Sequence, residues 1–254
     1  MKNKIEPKAY IFVGANASGK STFISHLLSN NIIEGTYINP DLILKEELKL
    51  EETKDNYIKA FQIAEKRRNN LLKNKQDMII ETVFSTQEKV DFLIKLKEQN
   101  YDVITFFTNT EDAQINVLYL LNRVKQGGHD VPIKKLLERK NRCFDNVKKS
   151  LKNIDCLILI DNSKINEPPI IVKSVFKGNI CFNNPDCRKI SWVNDLTNDL
   201  IFDDSNIEKS HLDLCNTIIK SMNKYEDTLS KTYNEKNKIL EKSNTFSSDF
   251  YIQK

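Results

Sequence analysis

Residues 14–21 read Gly-Ala-Asn-Ala-Ser-Gly-Lys-Ser and fit G-x-x-x-x-G-K-[ST] at every position. No other stretch constrains the fold as strongly. Gly14 and Gly19 permit backbone angles that turn several N–H groups toward one point, a nest for phosphate oxygens. Ala15, Asn16, Ala17 and Ser18 supply the backbone between them, and Thr22 follows Ser21 into the next segment. In such a loop Lys20 reaches the β and γ phosphates and the Ser21 hydroxyl holds Mg²⁺. An ordinary glycine turn would also show two glycines. Here "AYIFV" (9–13) comes before it as a short apolar run of β-formers, and "KSTFISHLLSN" (20–30) comes after it with helical apolar spacing. Strand, loop and helix in that order favour nucleotide binding, with ATP and Mg²⁺ as the expected cofactors.

The alternation continues. "GTYIN" (35–39), "DMIIET" (77–82), "YDVITFFT" (101–108) and "DCLILID" (155–161) read as strands. Helices are expected from Pro40, over 54–74, 87–100, 111–126 and 133–151. Tyr57, Phe61, Ala64, Leu71 and Leu72 mark the inward side of the 54–74 helix. Ile133, Leu136, Leu137, Phe144, Val147 and Leu151 mark that of 133–151. The pattern predicts an α/β fold with a parallel sheet and helices on both faces. Two further strands joined at Lys177-Gly178 follow within 168–183, and a partly exposed helical appendage within 206–242. A kinase-like domain over 1–200, with lid helices at about 111–151, and a helical appendage over 201–254 are therefore expected.

Bulk properties narrow the function. The net charge of +4 implies no strong basic patch, which disfavours nucleic acid as a partner. No run approaches the roughly 18 apolar residues of a membrane span. The five cysteines, at 143, 156, 181, 187 and 215, form no C-x-x-C pair. They are read as reduced thiols of a cytoplasmic protein.

A phosphate loop does not choose a reaction. No apolar strand ends in paired carboxylates, as many ATPases show. That leaves phosphoryl transfer to a small acceptor, which needs a carboxylate to take the acceptor proton and cations to hold the moving charge. Asp41 in "YINPDLI" stands just past the second strand, as general base or as a helix-capping Asp. Glu81 and Thr82 end the third strand in "IIETVFS", as acceptor-binding groups, a water-mediated Mg²⁺ contact, or a solvated strand end. Arg123 lies near one helix end, and Arg139 and Arg142 share a face of the next, across the hinge-like "GGHDVP" loop that holds His129. A solvated basic face with Lys134, Lys135 and Lys140 is the plainer reading of that segment. Asn162 and Ser163, after the fifth strand, border the adenine or make a turn. "NNPDC" (183–187) is read as a turn.

Taken in order, "VGANASGKST", "INPD", "IIET", "NRVKQGGHDVP" and "IDNS" resemble the zeta-toxin family of P-loop kinases, over about residues 8 to 190. The resemblance implies ATP·Mg²⁺ as phosphoryl donor and a nucleotide sugar, UDP-N-acetylglucosamine, as acceptor at its 3′-hydroxyl. It also implies an antitoxin protein as possible partner. By motif, Lys20 and Ser21 hold phosphate and Mg²⁺, Asp41 is the catalytic base, Glu81 binds substrate, and Arg123 with Arg139 or Arg142 clamps phosphates. The helix after the hinge reads "ERKNR" where the stand-alone bacterial branch more usually shows a tighter Arg-Arg-aromatic run. Two other readings stand beside this one. The first is a P-loop kinase with another acceptor, such as a nucleic-acid 5′-hydroxyl, an antibiotic or a sugar. The second is an ATP-binding switch without catalysis.

Overall fold

The structure, a computed structural model, describes residues 6–125, 131–165, 167–185, 189–201 and 208–224. The elements run β1 (Lys8–Val13), α1 (Lys20–Ser29), β2 (Thr36–Ile38), α2 (Pro40–Leu42), α3 (Lys54–Asn74), β3 (Met78–Thr82), α4 (Gln87–Glu98), β4 (Asp102–Asn109), α5 (Ala113–Lys125), α6 (Ile133–Ser150), β5 (Cys156–Asp161), β6 (Ile170–Phe176), β7 (Asn179–Asn183) and α7 (Ser191–Thr197). A last helix, α8, covers 209–224. A wide π-type turn, Ile43–Glu47, continues α2.

One seven-stranded sheet carries the fold, in the order β2-β3-β1-β4-β5-β6-β7. The strands from β1 to β5 are parallel. The β6–β7 hairpin adds to β5 antiparallel, so the two late strands extend the main sheet at one edge. Lys177 (φ 45) and Gly178 (φ 85) are both left-handed, as a two-residue hairpin turn requires.

Alternation along β1 builds the two layers. Ala9, Ile11 and Val13 face a core shared with α3, α4, α6 and α7. Tyr10 and Phe12 face a second core with α1 and α8. There Phe12 stacks on Phe106 at 4.4 Å, and Phe23 meets both rings edge-on. Cys215, Ile218 and Met222 of α8 are buried in this layer, and His211 Nε2 lies 2.9 Å from Asp102 Oδ1. The expected helical appendage thus has its described first part against the α1 face; residues 225–254 lie outside the described residues.

Two helical faces differ from the expected ones. Along α3 the inward stripe is Ala60, Ala64, Arg68, Leu71 and Leu72, while Phe61, 100° round from Ala60, is 52% exposed. Along α6 it is Leu136, Cys143, Val147 and Ser150, with Ile133 and Leu137 exposed. Large apolar residues suggested the wrong phase because smaller ones, Ala60 and Cys143, occupy the buried positions of these helices.

Candidate active site

β1 lies in the middle of the parallel strands and delivers the phosphate loop between the tips of β3 and β4. The loop is built tightly. A Cβ at Gly14 would stand 2.3 Å from the Thr108 carbonyl oxygen and 2.6 Å from Ser18 Oγ. A Cβ at Gly19, where φ is +95°, would stand 2.6 Å from Asn162 Nδ2. That amide donates to the Ser18 carbonyl at 3.0 Å, and the Asn162 N–H donates to the Asn109 carbonyl at 2.9 Å. Asn162 therefore braces the loop from the tip of β5. Its neighbour Ser163 donates to Asp161 Oδ1 at 2.7 Å and accepts from the Glu111 N–H at 2.7 Å.

The start of α1 has no side-chain cap and no acidic residue in its first turn. Its N–H groups and helix dipole suit an anion. Ser18 Oγ and Asn16 Oδ1 are buried without a hydrogen-bond partner among the described residues. Ala17 holds a left-handed φ of 56°. Lys20 is 6% exposed and folds back on the loop, donating to the carbonyls of Gly14 (3.0 Å) and Ala15 (2.8 Å). Burial lowers its pKa, and the Glu81 charge opposes that.

Glu81 gathers the other side of the site. Oε1 accepts from Ser21 Oγ at 2.8 Å. Oε2 accepts from the Tyr37 hydroxyl at 2.7 Å and from Asn39 Nδ2 at 3.1 Å. Burial, then the Glu81 charge, pushes the Tyr37 phenol up. Asn39 also caps α2, its side chain accepting from the Asp41 N–H at 2.8 Å. The capping acceptor is thus Asn39 and not Asp41. The Asp41 carboxylate lies within electrostatic reach of Lys20, Tyr37 and Tyr57. Thr82 points to the opposite face of β3 from Glu81, and its Oγ1 accepts from the Phe84 N–H at 3.0 Å, closing a turn.

The pair α5–α6 has a small core of its own, Leu120, Val131 and Leu136, which packs against Ala17 of the loop. The Arg123 charge reaches both Lys20 and Tyr57: it adds to the burial that lowers the Lys20 pKa, and it opposes the burial and the Asp41 charge that raise that of Tyr57. On α6, Cys143 is buried beside the Gly14 backbone, and burial pushes its thiol up to about 12. Arg139 is half-buried one turn before Cys143 on the same face, while Arg142 is exposed about 100° away. Lys140, part of the expected solvated face, is half-buried instead: Nζ donates to the Thr110 carbonyl and to Thr110 Oγ1, both at 2.7 Å, and to Asn116 Oδ1 at 3.2 Å. The hinge glycines and His129 fall in 126–130, and part of the "NNPDC" turn in 186–188, outside the described residues.

Sequence reasoning did not single out Tyr37, Asn39, Lys140, Thr110 and Asn116. Tyr37 and Asn39 stood in plain view before Pro40, where two hydrogen-bonding side chains end a strand beside a phosphate loop. Among the described residues no cluster of three or more His, Cys, Asp and Glu is gathered for a metal ion.

Comparison with known proteins bears on the fold and the family. The chain shares its fold with the AvrRxo1-ORF1:-ORF2 complex solved with ATP (TM-score 0.56, 14% identity, 88% of this chain and 78% of that one). The native form of that complex gives a TM-score of 0.53 at 15% identity, over 89% and 79% of the two chains. The PezAT toxin-antitoxin system of Streptococcus pneumoniae gives 0.49 at 14% identity, over 88% of each chain. No curated protein matches the chain in sequence. The sequence profile of the family described as Zeta toxin matches residues 1–169, and the chain therefore belongs to the zeta-toxin family of P-loop kinases.

Proposed function

We propose that the protein transfers the γ-phosphoryl group of ATP to a hydroxyl of a small nucleotide sugar, with UDP-N-acetylglucosamine the first acceptor to try. The observation that carries this reading is the meeting of Lys20, Ser21, Glu81 and Asp41 at the tips of three neighbouring strands. The uncapped helix start, the orphaned Ser18 and Asn16 oxygens and the lack of room at Gly14 and Gly19 fit a bound phosphate chain. Ser21 and Glu81 are oxygen donors suited to Mg²⁺, directly or through water. When bound, Mg²⁺ supplies neutralising charge to the phosphates.

The chain's own residues divide the remaining work. Asp41 takes the acceptor's hydroxyl proton as that oxygen attacks the phosphorus. Lys20, once turned from its two loop carbonyls, holds charge on the transferring group, and Arg123 adds to it from the lid. Of the α6 pair, Arg139 is assigned to the phosphates, because it shares the face of Cys143. Asn162 keeps the loop in shape. Thr82 is assigned to the acceptor only through its backbone turn. Among the described residues no helix is long and apolar enough to cross a membrane. A cytoplasmic location, where nucleotide sugars are made, and an antitoxin partner belong to the same proposal. The AvrRxo1 structures, which pair two gene products, support the partner by analogy.

The test mixes protein, ATP, Mg²⁺ and UDP-N-acetylglucosamine, with products read by mass spectrometry. A gain of one phosphate on the sugar nucleotide, lost with Asp41→Asn while ATP still binds, is the expected result. ATP binding without any gain would remove this acceptor and favour another one or a non-catalytic switch.

A further inference from the structure

Asp161 ends β5 as a carboxylate with 5% of its surface exposed. It stands one residue before the amide that braces the phosphate loop. Its hydrogen bonds among the described residues come from neutral donors. A buried charge held this way costs desolvation, which an apolar side chain would avoid.

Its partners show what the charge does. Oδ1 accepts from Trp192 Nε1 of α7 at 3.0 Å and from Ser163 Oγ at 2.7 Å. Oδ2 accepts from the Ser163 N–H at 3.1 Å. Only a carboxylate accepts on both oxygens; an amide would turn its own N–H groups against one of these donors. Ser163 passes the link on, since its Oγ accepts from the Glu111 N–H at 2.7 Å. Glu111 Oε1 in turn accepts from the Ser191 N–H at 3.0 Å, and Ser191 adjoins Trp192. A closed ring of bonds therefore joins the end of β5, the turn before α5 and the start of α7. Trp192 anchors it firmly, being buried and edge-on to Phe107 at 5.4 Å.

Successive strand residues face opposite sides of a sheet. Asp161 faces the layer of Leu157, Leu159 and Trp192, while Asn162 faces the loop and donates to the Ser18 carbonyl at 3.0 Å. Fixing the carboxylate on one side fixes the backbone that aims the amide on the other. We infer that Asp161 is a positioning residue for the bound nucleotide: it clamps the end of β5 to α7, and Asn162 carries that order to the phosphate loop. The effect on a nucleotide rests on the kinase reading above; the clamp itself does not. Through it α7 acts on the nucleotide site from the sheet face opposite α1.

A double-mutant cycle on ADP affinity, measured by calorimetry, tests this. Asp161→Asn keeps the side chain's size and spoils one of its acceptors. It is expected to weaken ADP binding about fivefold or more. In an Asn162→Ala background the same substitution is expected to change ADP binding by less than about twofold, because the amide it works through is gone. A merely structural residue would give equal losses in both backgrounds. That result, or no loss in either, would overturn the inference. Trp192, the chain's single tryptophan, gives a second readout. Its emission should shift in Asp161→Asn and keep its wild-type position in Asn162→Ala; no shift in Asp161→Asn would overturn the clamp. If wild-type protein binds no ADP, the kinase reading fails. Hydrogen exchange of residues 14–22 in the unliganded protein then still decides the clamp. Faster exchange in Asp161→Asn supports it, and unchanged exchange overturns it.

Discussion

Replacing Lys140 with methionine tests how α6 is fastened over the strand tips. Nζ donates to the Thr110 carbonyl, Thr110 Oγ1 and Asn116 Oδ1. Burial lowers the ammonium pKa from its ordinary 10.5 to about 8, against the pull of Asp112, Asp161 and Glu111. In the unfolded chain a lysine titrates near 10.4. Between those values the unfolded state binds more protons than the folded one, so stability rises with pH across that window. The cost of the buried charge is fully present below the folded pKa and is relieved as pH climbs toward the unfolded one. At about 1.36 kcal/mol per pH unit the whole lowering converts to roughly 3 kcal/mol. The ammonium is still partly open to solvent, and screening reduces this to about 1–2 kcal/mol. Urea unfolding of wild type and Lys140→Met, followed by circular dichroism from neutral pH to about pH 10.5, isolates the term, because the other titrating groups cancel in the difference. The difference should move in favour of wild type by about 1–2 kcal/mol over that range. A flat difference would refute the buried, pKa-lowered lysine.

Two further substitutions probe the site's construction. Gly14→Ala places a methyl group 2.3 Å from the Thr108 carbonyl oxygen, so the loop must shift. A loss of about 2–4 kcal/mol in stability and weakened ADP binding are expected by denaturation and calorimetry; unchanged values would mean that the close approach is absent. Tyr37→Phe removes a donor to Glu81 while Asn39 and Ser21 still donate. Stability should fall by about 1–2 kcal/mol and the transfer rate should drop with ADP affinity kept; an unchanged rate would separate Tyr37 from the chemistry.

Much of this architecture was legible in local chemistry. The strand-loop-helix around Gly14 and Lys20, the 54–74 helix and the hairpin at Lys177-Gly178 each follow from signals within a few residues. The site was legible where a residue's type and strand-end position already implied its work, as for Glu81. It was not where the role depends on a distant partner. Lys140 read as one of several surface lysines, and only the packing of α6 on the tip of β4 gives it Thr110 and Asn116 as acceptors. Tyr37 and Asn39 acquire their partner, Glu81, from a strand more than 40 residues away. Phe61 and Cys143 misled in opposite directions, because size suggested burial for one and the helix phase demanded it of the other. Arg68 was not singled out in the sequence, and only the sheet beneath α3 buries it.

The central claim is that Asp41 takes a proton during phosphoryl transfer from a nucleotide held at Lys20. The most direct measurement follows a single turnover of γ-labelled ATP in a bacterial small-molecule extract, with wild-type, Asp41→Asn and Lys20→Ala proteins side by side. The account predicts label on an anionic small molecule with wild type. Asp41→Asn should bind ATP normally and lose roughly 10²–10⁴-fold in rate, and Lys20→Ala should lose productive use of ATP. Label transfer at the wild-type rate by Asp41→Asn would contradict it.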